Sequence, residues 1–140
     1  MTETSICGES KSESKVILVS CSGMCVHGQV SREAVHNVIY EKVLGKTNWV
    51  CPTAIPLNIG WQINRLKNAK AIVAVPGCPV HCDVKLLQAA GFAPTVIVDA
   101  HEVCHFAPDS MELTDISVEE RKNLVNKLAE AIEQAVIKLS

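Results

Sequence analysis

Cys21 and Cys25 are separated by three residues, and Cys78 and Cys82 repeat that spacing within Gly77-Cys78-Pro79-Val80-His81-Cys82. Cys51 and Cys104 stand alone, and Cys7 lies in the polar start MTETSICGESKSESK, bringing the total to seven in 140 residues. A thiolate is a strong nucleophile and a soft metal ligand. This set therefore suits zinc or iron–sulfur binding, thiol redox chemistry or persulfide transfer. A disulfide framework is the poorer reading, because such frameworks serve small secreted domains and an odd count cannot pair completely within one chain. Cys7 reads as incidental.

The spacings exclude several specific chemistries. A cysteine phosphatase loop needs C-x5-R, and from Cys25 the arginine falls one position too far, at Arg32. Position 28 is Gly, so Cys21-x3-Cys25 does not continue into a radical-SAM triad, and no dense C-x2-C-x2-C ferredoxin run is present. Gly23 and Gly28 do not make a dinucleotide fingerprint. No catalytic set is recognised. His27 and His81 neighbour the two pairs and suit either a ligand role or, more commonly for such positions, a solvent-facing loop. His101, Cys104 and His105 form a local H-x2-C-H cluster that reads either as reserve ligands or as a polar loop with one packed thiol. His36 reads as structural, and Trp49 and Trp61 as core packing.

The elements that must position these thiols alternate in type. Lys15–Ser20 reads as a buried strand. Arg32–Leu44 reads as a helix with Ser31 as N-cap and Gly45 past its end, and Asn48–Cys51 as a strand. Asn58–Ala69 reads as a helix and Ala71–Val75 as the clearest buried strand. Gly77-Cys78-Pro79 reads as strand end, N-cap and first helical position, and the helix runs on to Gly91. Pro94–Asp99 reads as a fourth strand. Ser117-Val118-Glu119-Glu120 is a capping box opening an amphipathic last helix.

This alternation predicts a single-domain α/β fold: a Rossmann-like or flavodoxin-like three-layer sandwich with about four parallel strands flanked by helices. Its domain spans 14–140, after a tail over 1–13. Ligand sites of such sheets lie outside the carboxyl ends of the strands. Six of the seven cysteines are expected at that edge, with Cys78 and Cys82 sharing a helix face at a thiolate-favouring helix start. The resulting ligand set is Cys21, Cys51, Cys78 and Cys82, with Cys25 as a fifth thiol.

Composition limits the alternatives. Hydrophobic residues make up 48% and charged residues 20%, which describes a globular chain. A formal charge of −2 without a basic run gives no footprint for nucleic acid or an anionic membrane surface. The apolar runs are strand-sized, and the start of the chain has no secretory pattern, so the expected compartment is the cytoplasm. Oligomeric state and protein partners are left open.

Cys21-Ser22-Gly23 after a strand, Gly28-Gln29, Cys51 before Ile59-Gly60, and Gly77-Cys78-Pro79-x-x-Cys82 together resemble the DGC-domain family, described as zinc-binding and named for an Asp-Gly-Cys motif. The resemblance runs over roughly Lys15–Asp99. It implies a Rossmann-like domain with cysteine-based metal binding by Cys21, Cys51, Cys78 and Cys82. In this chain Pro76 replaces the naming aspartate, and Cys25 is additional to the family pattern. No reaction is implied.

Overall fold

The computed structural model describes residues 14–107 and 111–140. The segment read as a tail, with Cys7, lies outside the described residues. Four parallel strands, β1 (Val16–Ser20), β2 (Thr47–Trp49), β3 (Ala71–Val75) and β4 (Val96–Ile97), form one sheet in the order β2-β1-β3-β4. Both β1 and β3 are continuous apolar runs, as strands covered on two faces require. They pair level along their length, from Val16 opposite Ala71 to Ser20 opposite Val75.

Alternate residues of these strands feed two separate cores. Val16, Leu18, Val73 and Val75 face α1 (Val26–Asn37), α4 (Ala100–Cys104) and α5 (Val118–Leu139), meeting Val30, Ala34, Leu128 and Ile132. Ile17, Val19, Ile72 and Ala74 face α2 (Gly60–Lys67) and α3 (Cys82–Ala89), meeting Ile63, Leu66, Val84 and Leu87. The architecture is therefore the expected α/β three-layer sandwich. The last helix opens as its sequence requires, with the Ser117 hydroxyl accepting from the Glu120 N–H at 3.0 Å.

Two helix starts differ from the sequence reading. The first helix begins at Val26, six residues before the expected Arg32, and Cys25 is its N-cap. Ser31 is thus a buried mid-helix residue and not a cap. The polar stretch His27-Gly28-Gln29 hid this turn, because His27 and Gly28 are buried by close backbone approach and not by an apolar pattern. A β-carbon at Gly28 would stand 2.3 Å from the Gly23 carbonyl oxygen, and one at Gly77 would stand 2.7 Å from that of His27. Only glycine permits this packing.

The third helix begins at Cys82 and not at Pro79, with His81 as N-cap in the left-handed region at φ 56°. Cys78 to His81 form a separate turn, closed by the His81 N–H donating to the Cys78 carbonyl at 3.2 Å. Cys78 and Cys82 consequently do not share a helix face. The other boundaries move by a few residues, and β2 ends two positions before Cys51.

Candidate thiol site at the carboxyl edge of the sheet

The strand order places the crossover reversal between β1 and β3, since β2 lies on one side of β1 and β3 on the other. Ligand sites of open parallel sheets form at this point. The chain leaves β1 into Cys21 and leaves β3 through Pro76 and Gly77 into Cys78. The Cys21 N–H points to the Val75 carbonyl at 3.2 Å and to the Ser31 hydroxyl at 3.1 Å, while that hydroxyl donates to the Val75 carbonyl at 2.6 Å. Ser31 therefore ties both strand ends to α1. Sequence reading missed this role because serine before a helical pattern also fits an N-cap.

Cys21 is buried, and burial pushes its thiol pKa up. The Gly23 and Gly77 N–H groups work against burial by favouring thiolate, and the charges of Asp83 and Cys78 add to the rise. The Gly23 N–H donates to Cys21 Sγ at 3.3 Å. Sulfurs of both Cys21 and Cys25 border the α-carbon of Gly23, at 3.3 and 3.9 Å from where a β-carbon would stand. Cys78 is half-buried, while Cys51 and Cys82 are exposed.

Cys51 follows β2, its N–H held by the buried Gln62 side-chain oxygen at 2.7 Å. Cys21 and Cys51 both line an open, mainly apolar cleft of about 600 Å³, with Arg32, His36, Tyr40 and Trp49. Arg32 is fixed there by donating to the Gly23 carbonyl and, at 2.6 Å, to Gln29. Past α1 the chain forms one π-helical segment, Val38–Lys42, which brings Ile39 and Tyr40 to this cleft. Trp49 and Trp61 are half-buried and clasp Arg65, whose guanidinium lies 4.9 and 4.7 Å from their ring centres.

The histidines sort differently from expectation. His27 is buried, its ring 4.2 Å from that of Phe106, and is not a solvent-facing loop residue. His36 is exposed and stacks on Tyr40 at 4.5 Å. His81 Nε2 lies 2.6 Å from a carboxylate oxygen of Asp99, which also accepts from the His101 N–H at 2.8 Å as N-cap of α4. This pair pins the left-handed residue between Cys78 and Cys82. Neither Asp99 nor Asp83 was singled out from sequence. Asp83 stands four positions before the apolar Leu87, one helical turn away, and that spacing was the available sign of an acid on the inward side of α3.

Cys104 does not belong to the carboxyl edge. It ends α4, packs in the core beside α5, and reaches the Leu124 carbonyl with its sulfur at 3.6 Å. Burial pushes its pKa up to about 11. His105, beyond it, is exposed. The predicted H-x2-C-H cluster is a short helix with one packed thiol. Among the described residues, no three His, Cys, Asp or Glu side chains stand close enough together to hold a metal ion.

The model of the DGC domain matches residues 17–136, from β1 through most of α5. The chain belongs to the DGC-domain family. Thus the glycine-packed loops, Cys21 and the Gly77-Cys78 turn all lie within the family region. No curated protein and no solved structure matches this DGC domain. Among its described residues, no helix is long and apolar enough to cross a membrane.

Proposed function

We propose that this DGC domain binds a thiolate-loving metal ion, zinc, at the carboxyl edge of its sheet, for metal handling. Cys21, Cys51, Cys78 and Cys82 are the ligands, with Cys25 beside them. The observation that carries this reading is that the chain leaves β1 into Cys21 and β3 into Cys78 on the two sides of the β1/β3 reversal, with the charge of Cys78 acting on the Cys21 thiol. Cys25 borders the same glycine and Cys51 the same cleft. All six described cysteines are free thiols, so the donors fit a soft ion in kind, with the sulfurs still apart.

The surrounding residues suit the task. The Gly23 and Gly77 N–H groups favour thiolate at Cys21, and Ser31 holds its backbone. Cys82 is the exposed first residue of α3. The Cys78–His81 turn lies outside the helix, held by the His81 N–H on the Cys78 carbonyl and by the His81–Asp99 pair. When bound, zinc would supply charge compensation and a link between the loops after β1, β2 and β3. The two cores are continuous without it, which favours an exchangeable ion over a purely structural one. A reducing compartment such as the cytoplasm would keep the thiols available.

The test is elemental analysis with an absorption spectrum on protein purified anaerobically without added metal. About one equivalent of zinc and a colourless solution are expected. Metal-free protein after gentle purification would overturn the reading, and a brown chromophore would replace zinc with an iron–sulfur cluster. The exposure of Cys51 on an open cleft favours a second reading, thiol redox or persulfide transfer with a small molecule bound beside it. Fast alkylation of Cys51 in zinc-loaded protein would favour that alternative.

A further inference from the structure

The cleft beyond β1 and β2 has the build of a small-molecule site, whether or not a metal binds nearby. Its volume of about 600 Å³ lies in the range of sites that enclose small ligands. Leu18, Val35, Ile39 and Val50 line it, and all four are buried. Met24 and Tyr40, also in the lining, are 84% and 50% exposed, so apolar surface is left open to solvent there. The wall that carries Tyr40 is irregular. Its π-helical turn over Val38–Lys42 is closed by the Val43 N–H on the Val38 carbonyl at 3.0 Å. Such turns are rare and recur at functional sites.

Arg32 brings a permanent positive charge to this apolar lining. Its terminal nitrogens donate to the Gly23 carbonyl and to the Gln29 side-chain oxygen, both neutral acceptors. Those bonds use two of the five N–H groups of a guanidinium. Among the described residues, no Asp or Glu lines the cleft. The acids on the same stretch of chain are engaged elsewhere, Glu33 with Arg121 at 3.4 Å and Glu41 with Asn37 at 2.7 Å. Arg32 is thus a half-buried cation, held in place, with spare donors and no anion among the described residues to meet them.

We infer that the cleft binds a small organic carboxylate, its apolar body against Leu18, Val35 and Ile39 and its carboxylate on Arg32. A planar guanidinium fork matches two carboxylate oxygens, and preorganisation by Gly23 and Gln29 lowers the cost of binding. One permanent cation suits a single negative charge better than the near-double charge of a phosphate monoester. The chain's formal charge of −2 gives no footprint for a polyanion. Cys51 is exposed and lines the same cleft, so a bound acid covers its thiol.

The experiment uses the full chain as purified, titrated with octanoate and with its neutral counterpart octanamide, binding being read from backbone amide NMR shifts. Alkylation of Cys51 by iodoacetamide is followed alongside by mass spectrometry. Octanoate should bind about 10-fold or more tightly than octanamide and should slow the alkylation. Arg32→Met should reduce acid binding to the level of the amide, and Arg32→Lys should keep part of the preference. Thr53→Trp fills the cleft from an exposed position and leaves Arg32 in place, so it should weaken acid and amide alike. Equal binding of acid and amide by wild type, or binding of neither, overturns the inference. Acid binding that survives R32M but vanishes on chelation would place the carboxylate on a metal ion and overturn the role of Arg32. None of these outcomes removes the metal-site reading, which falls on elemental analysis alone.

Discussion

Cys21 and Cys104 are both buried thiols whose pKa burial pushes up, yet their surroundings differ in kind. Around Cys21 the backbone is forced close by Gly28 and Gly77, N–H groups point at the sulfur, and Cys78 and Asp83 add charge. Cys104 lies among aliphatic side chains of α4 and α5, with one carbonyl at 3.6 Å. Burial by itself therefore does not mark a functional thiol. What distinguishes Cys21 is the convergence of polar groups from three separate chain segments, at a point where folding must bring them together.

Metal retention should separate the two thiols most sharply. Cys21→Ala is expected to lose nearly all bound zinc, whereas Cys104→Ala should keep the wild-type equivalent, both read by elemental analysis after gel filtration. Equal loss from the two variants would break the distinction.

Acid dependence should come next in size. The folded-state pKa of Asp83 is raised from 3.8 to about 6, so between those values the folded chain holds a proton that the unfolded chain has released. Stability of the metal-free protein should therefore fall as pH rises from about 4 to 6, by on the order of 3 kcal/mol from this group. Below that window both states are protonated and the contribution is constant. Urea unfolding across pH should show this slope in wild type and lose it in D83N. Cys104 should contribute no slope in the same range, because its thiol stays protonated to about pH 11.

The smallest effect concerns packing. Cys104→Ala should reduce the stability of the metal-free protein by about 1–2 kcal/mol through loss of buried volume. Denaturant unfolding would measure it, and an unchanged midpoint would mean that the pocket beside α5 closes around the smaller side chain.

The comparison also shows how much could be read beforehand. Strand β3 and the alternation of strands and helices were legible, because buried parallel strands require continuous apolar runs. Cys21 was correctly placed just beyond the first strand, whereas Cys51, read as the last residue of the second strand, follows β2 by two positions, and Cys78, read as a helix N-cap, lies in a separate turn after β3. The start of α1 was not legible: His27 and Gly28 are buried by backbone contact with the loops after β1 and β3, and hydropathy does not register such contacts. The turn at Cys78–His81 was read as helix because Pro79 is compatible with either. His81 adopts a left-handed conformation there while paired with Asp99, a residue 18 positions away.

Local patterning, then, determined the α/β class, the strands, the stop of α3 near Gly91 and the set of thiols close to the sheet's carboxyl edge. These follow from period, chain stiffness and capping, which act over a few residues. Tertiary structure alone decided that Cys21 and Cys78 leave the sheet on the two sides of the β1/β3 reversal, that Cys104 turns into the core, and that Asp83 is buried on the inward side of α3. Those outcomes depend on strand order and on which helix covers which face, and both are set by contacts between segments far apart in the chain.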